Sequence, residues 1–174
     1  MSDQIDDEVP AGRSFRDSAS FGKRIEYWVI GLLLKQGFDV FVPLVDDDGI
    51  DAILRHPNGR KVDIQIKARS SEVKFGSAAL FAGLDHREVR NSYFFVFYSE
   101  RLDLIWLMSS ADFVAQAYQN GAGINAGKRS LNFSGKSTKR MQEYRHARFD
   151  QWCITLDGNH DFSRLHDYLQ SGPA

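Results

Sequence analysis

Between Gly49 and Arg69 the chain reads GIDAILRHPNGRKVDIQIKAR, and this stretch limits the possible folds more than any other. It contains a short strand from Ile50 to Arg55, the tight turn Pro57-Asn58-Gly59, and a second strand from Lys61 to Ala68. Asn-Gly favours such a turn because both residues tolerate positive φ. The second strand alternates cleanly: Val62, Ile64 and Ile66 lie on one face, Asp63, Gln65 and Lys67 on the other. A chain with this hairpin needs a sheet with one apolar face turned inward.

Pairing through the turn can bring Asp51, Gln65 and Lys67 together at one end of the hairpin. A carboxylate and an amide oxygen can both ligate a hard divalent cation such as Mg²⁺. A lysine beside them can orient or activate a water, or neutralise charge on a phosphate. Metal-assisted phosphodiester hydrolysis needs these roles: a Lewis acid, a nucleophile generator and a charge clamp. The plainer reading of the same alternation is a solvated strand face.

A helix carrying Glu26 precedes the hairpin. The order Glu26, Gly49-Ile50-Asp51, Gln65-Ile66-Lys67 resembles the PD-(D/E)xK nuclease superfamily, which includes type II restriction enzymes and archaeal-type Holliday junction resolvases. The resemblance spans roughly residues 20 to 110, in the element order α-β-β-β-α-β. It implies that Glu26, Asp51, Gln65 and Lys67 form the catalytic set, with Glu26, Asp51 and Gln65 on the metal, Mg²⁺ or Mn²⁺. The sequence departs from the family at Gln65, where an acid is usual; QxK variants exist, and a neutral ligand weakens metal binding. The proline of the family name has no counterpart, since Ile50 precedes Asp51.

A chain of 174 residues suits one domain and can bury a sizeable core. The net charge of −1 supplies no global field towards nucleic acid, so charge has to be read locally. Cys153 is the sole cysteine, which excludes an intrachain disulfide and paired-cysteine zinc sites and fits a cytoplasmic protein. Its neighbours Trp152 and Ile154 suggest a small buried hydrophobe. The polar, acidic N-terminus is no signal peptide, and the apolar run from Tyr27 to Leu34 is too short to span a bilayer.

Elsewhere the pattern predicts a disordered acidic tail over residues 1–15, then a helix from Ser18 or Ser20 to about Gln36 with Gly37 as its stop. FDVFVPL, Phe38 to Leu44, reads as a strand, and Asp46, Asp47 and Asp48 as a solvated turn. YFFVFY, Tyr93 to Tyr98, reads as a strand buried on both faces, and LIWLM, Leu104 to Met108, as the next one. His86 reads as a surface residue, Ala111 to Gln119 as a helix, and Asp161 as the cap of a last helix through Leu169. Lys128, Arg129, Lys136, Lys139, Arg140, Arg145 and Arg148 make residues 128–148 the most basic stretch, with Glu143 its only acid. Phe133, Tyr144 and Phe149 are interleaved, and Thr138 to Arg148 reads as a helix. This composition suits contact with backbone phosphates, with Lys74 on the 70–83 connection adding to it; a solvated helix face reads equally well.

The expected architecture is α/β: a central mixed β-sheet flanked by helices, a restriction endonuclease-like core over 16–119, and a basic C-terminal extension over 120–174 packed on the same domain. Two functions follow. One is a metal-dependent nuclease acting on nucleic acid, DNA before RNA, for which a homodimer would suit double-strand cutting. The other is a non-catalytic nucleic-acid-binding or scaffold protein that keeps this fold.

Overall fold

The computed structural model describes residues 18–45 and 48–171, so the acidic tail and Asp46-Asp47 lie outside the described residues. Helix α1 (Ser18–Lys35) buries Phe21, Val29, Ile30 and Leu33 along one face. It stops at Gly37, φ 84°, where the Gly37 N–H donates to Leu34 O at 3.0 Å and the Phe38 N–H to Leu33 O at 3.2 Å. Those bonds satisfy the last carbonyls, and the left-handed conformation they need is unstrained for glycine.

Strands β1 (Asp39–Phe41), β2 (Ala52–Arg55), β3 (Lys61–Arg69), β4 (Leu80–Leu84), β5 (Tyr93–Ser99) and β6 (Leu104–Ser109) follow. All but β4 join one mixed sheet in the order β1-β2-β3-β5-β6. The β3–β5 pair is parallel and the others are antiparallel. β1 is shorter than the FDVFVPL run and ends before Pro43, which cannot donate to a ladder. The hairpin forms as the alternation predicts, with Ala52 opposite Ile64 and Arg55 opposite Lys61. Gly59 takes φ 90° in its turn. Asn58 Nδ2 ties that turn to Leu169 O at 2.9 Å.

All seven residues of β5 are buried, as its unbroken apolar run demands. One face of the sheet packs Ile64, Ile66, Phe94 and Val96 against α1 and the last helix, α3 (Ser163–Gln170), through Val29, Leu33, Leu165 and Leu169. The other face carries Phe95, Phe97 and Trp106. It is covered by α2 (Ser110–Gln116) and by a second sheet of order β4-β8-β7, formed with β7 (Tyr118–Gln119) and β8 (Arg129–Asn132). Phe133 lies 4.6 Å from Trp106, ring centre to ring centre, and Phe149 lies 4.9 Å from Phe133. Fully burying one such ring stabilises the fold by roughly 2–3 kcal/mol. The last third of the chain therefore helps to build both halves of the core.

The helix expected over Thr138 to Arg148 is instead a hairpin, β9 (Ser134–Ser137) with β10 (Gln142–Arg145), followed by a 3₁₀ turn over Ala147–Trp152. The reason is Glu143. On β10 its side chain points inward and is 4% exposed. There it accepts the Gly76 and Ala78 N–H groups at 2.7 and 2.9 Å and pairs with Arg101 at 2.5 Å. Arg101 also binds Ser71 O and Val73 O. A basic run with one acid looked like a solvated helix face, but the acid has partners more than forty residues away in the chain. A final hairpin, β11 (Thr155–Leu156) with β12 (Asn159–His160), leads into α3, whose first turn is held by the Ser163 N–H on Asp161 Oδ1 at 2.9 Å.

Candidate active site

The β2–β3 pairing stops at Ala52 and Ile64. Beyond that point β2 no longer supplies an acceptor for the Ile66 N–H. The Asp51 carboxylate takes its place, with Oδ2 2.6 Å from the Ile66 nitrogen, while the Asp51 N–H donates to Ile64 O at 2.8 Å. Asp51 is thus held against the backbone of the residue between Gln65 and Lys67. A carboxylate that terminates a ladder in this way is pre-positioned, because releasing it would leave a part-buried N–H unsatisfied.

Gln65 and Lys67 alternate with the buried Ile64 and Ile66 and so leave the core on the opposite face. They open into one polar cavity of about 570 Å³, whose lining includes Asp48, Gly49, Asp85, His86, Arg90 and Tyr93. A smaller hollow, about 120 Å³, continues from Lys67 along β3 to Arg69. Both side chains are half-buried, and neither makes a hydrogen bond or ion pair among the described residues. Burial without a partner is unfavourable for an amide and more so for an ammonium, so these two groups are suited to meet something from solution.

Gly49 shapes the approach. Its φ is 69°, and a Cβ placed there would lie 2.3 Å from Gln65 Nε2. The Tyr93 hydroxyl donates to Gly49 O at 2.6 Å, fixing this segment to β5. Glu26, half-buried on α1, accepts from the exposed Lys23 Nζ at 2.6 Å. That bond and the Glu26 charge outweigh the opposing cost of desolvation and hold the Lys23 ammonium above its ordinary range.

Two carboxylates and an amide are residue types that can ligate a hard divalent cation, but of Glu26, Asp51 and Gln65 only Gln65 lines the cavity. No group of three or more His, Cys, Asp and Glu side chains able to hold a metal occurs among the described residues.

The basic residues of 128–148 do not form one surface. Arg129 is turned inward, onto Val114 O at 3.3 Å and Arg87 O at 3.2 Å, with its Nε buried and unbonded. Arg145 pairs with Asp150 at 3.0 Å, and Arg148 lies over the Phe149 ring. Lys128 is half-buried. Lys136 packs over Gly76, beside the segment that carries the exposed Lys74, and Lys139 and Arg140 stand exposed at the β9–β10 turn.

Sequence reading missed the wall formed by His86, Arg90 and Tyr93. His86 is buried, not on the surface: its Nε2 lies 2.7 Å from Ser110 Oγ, and its ring stacks on Tyr93 at 5.2 Å. Burial, with the charges of Arg90 and Arg129 close by, pushes its imidazole down to about 4, so it is neutral at pH 7. The only local signal was the cluster DHREVR before the buried strand. Charge density of that kind is ordinary in loops, and nothing in it marks His86 as interior.

A mixed five-stranded sheet flanked by helices, with Gln65 and Lys67 opening from its β2–β3 hairpin into one polar cavity, has the architecture of a restriction endonuclease-like domain. The restriction endonuclease family Mrr_cat matches residues 18–127, and the chain belongs to that family. Its fold is similar to "The structure of a bacterial homing endonuclease: I-Ssp6803I", with a TM-score of 0.56 and 19% sequence identity over 90% of this chain and 94% of that one. No curated protein matches the sequence.

Proposed function

We propose that this protein is a metal-dependent endonuclease that hydrolyses phosphodiester bonds in DNA. The observation that carries the reading is the pair of half-buried side chains Gln65 and Lys67, unpartnered among the described residues, in one polar cavity on either side of the residue whose N–H holds the Asp51 carboxylate. Family membership and the homing-endonuclease likeness support the same class.

Glu26, Asp51 and Gln65 would hold Mg²⁺ or Mn²⁺, which when bound supplies Lewis-acid charge and a more acidic water. The Lys67 ammonium donates to a phosphate oxygen or to the attacking water, where charge develops in the transition state. The Ile66 N–H keeps Asp51 in place without reorganisation. Lys74, Lys136, Lys139 and Arg140 contact phosphates away from the cleft, a term that positions DNA without reading its sequence. Cutting both strands would call for a symmetric pair of copies.

Calorimetric titration with Mg²⁺ and Mn²⁺, run beside a plasmid-cleavage assay, tests the proposal. The wild type is expected to bind a divalent cation and to cut only in its presence. Gln65→Glu is expected to bind the cation more tightly, because a carboxylate is the better hard ligand. A wild type that binds no divalent cation, even with DNA present, would decide for a non-catalytic DNA-binding or scaffold protein. The neutral Gln65 is the feature that favours that second reading.

Gly49→Ala provides a separate check. A side chain at φ 69° costs about 1–2 kcal/mol, and its Cβ would drive the Gln65 amide out of position. Cleavage is expected to fall well beyond what the loss of thermal stability explains. Equal losses in a melting curve and a rate assay would remove Gln65 from the site.

A further inference from the structure

Arg90 lines the same cavity as Gln65 and Lys67 and is held at three points. Its guanidinium lies 4.1 Å above the centre of the Tyr93 ring, itself 2% exposed and therefore fixed. Its Nη1 donates to Asp48 O at 2.8 Å. Its backbone N–H donates to Ser110 Oγ, also at 2.8 Å, the hydroxyl that meets His86. No carboxylate pairs with it among the described residues, and its other guanidinium donors have no acceptor there.

The charge around the cavity makes this informative. His86 is neutral; of the two acids in the lining, Asp85 is bonded to Arg87 at 3.1 Å and Asp48 meets Arg90 through its backbone carbonyl, not through an ion pair. The cations of the lining are Lys67 and Arg90, and neither has an acid partner among the described residues. A guanidinium stacked on a buried ring loses little freedom on binding, and its planar fork suits the paired oxygens of a phosphate. Lys67 meets the reacting phosphate as a point charge; Arg90 offers a directed, pre-paid geometry beside it.

We infer that Arg90 is a substrate-contacting residue of this site, its guanidinium binding a backbone phosphate of the DNA next to the one that Lys67 meets. The inference rests on the endonuclease reading. Its rival is a purely structural role, in which Arg90 only ties the segment of Asp48 and Gly49 to the cavity wall.

The experiment measures binding of a short DNA duplex against salt concentration in an Asp51→Asn background. There the Asn carbonyl can still accept the Ile66 N–H, and cleavage is silenced. Arg90→Gln can still donate to Asp48 O but carries no charge, whereas Arg90→Lys keeps the charge. Losing one phosphate contact reduces the salt slope by about 0.9. Arg90→Gln is therefore expected to weaken binding several-fold and flatten the slope by that amount, while Arg90→Lys keeps the slope. In the otherwise native enzyme, Arg90→Gln should raise KM more than it lowers kcat.

An unchanged slope in Arg90→Gln, with or without a lower melting temperature, would overturn the inference and leave the structural tie. So would a slope lost equally in Arg90→Lys, because charge would then not be the cause. A wild type that cuts DNA while Arg90→Gln keeps its slope sinks this inference alone. A wild type that neither cuts nor binds DNA sinks the endonuclease reading with it.

Discussion

Replacing Lys67 by alanine is expected to slow strand cleavage by about 10²–10³-fold, the usual cost of removing one donor aimed at transition-state charge. Divalent-metal affinity should stay near the wild-type value, because Lys67 is not a ligand. Protein stability should hardly change, since the ammonium has no partner to lose among the described residues. Asp51→Ala should behave differently. It removes a proposed metal ligand and also orphans the Ile66 N–H, at about 1–3 kcal/mol. Asp51→Asn restores that acceptor and should recover stability without recovering cleavage. Melting curves, metal titration and cleavage rates on the three variants separate these effects. If Lys67→Ala cuts at the wild-type rate, the cavity is not where hydrolysis occurs.

The largest effect on stability is expected at Glu143, which does not line the cavity. Its carboxylate is nearly buried and joins the Gly76 and Ala78 amides to Arg101, which in turn holds Ser71 and Val73. Glu143→Ala leaves a part-buried guanidinium and two amides without their acceptor. Breaking such a pair costs about 3 kcal/mol, or a melting temperature lower by roughly 6 to 12 °C in a domain of this size. Glu143→Gln, which keeps an acceptor but loses the charge, should fall between. A melting temperature equal to wild type in the alanine variant would mean that the network adds nothing to folding.

The same network has a pH signature. Burial works against the charged Glu143, but Arg101 and the Ala78 and Gly76 N–H groups outweigh it and hold the carboxyl below its ordinary 4.5. Stability from a carboxyl depressed in this way is fully present above its unfolded value and is lost as pH falls through the folded one. His86 acts in the same direction and earlier: kept neutral down to about 4, it resists a protonation that the unfolded chain accepts near 6.5. Acid should therefore destabilise the wild type progressively below pH 6.5. Glu143→Ala should flatten the lowest part of that curve only.

Local pattern was enough to read the β2–β3 hairpin, the doubly buried β5, the stop of α1 at Gly37 and the exit of Gln65 and Lys67 from the core face. Strand alternation, an Asn-Gly turn and a left-handed helix stop are each decided within a few residues, so a sequence carries them openly. The set Glu26, Asp51, Gln65 and Lys67 came instead from the resemblance to a nuclease family, which local pattern alone does not supply. Other features were decided by tertiary structure alone. Residues 134–145 form a hairpin in place of the expected helix, and on it Glu143 meets Arg101 and two amides of a remote loop. Arg129 turned inward to backbone carbonyls although its neighbours in sequence suggested a phosphate surface. His86 was buried, and Arg90 brought into the cleft, by the crossover that carries the chain from β3 to the parallel β5. Parallel pairing requires such a long connection, and what it covers depends on contacts distant in sequence, which no local pattern encodes.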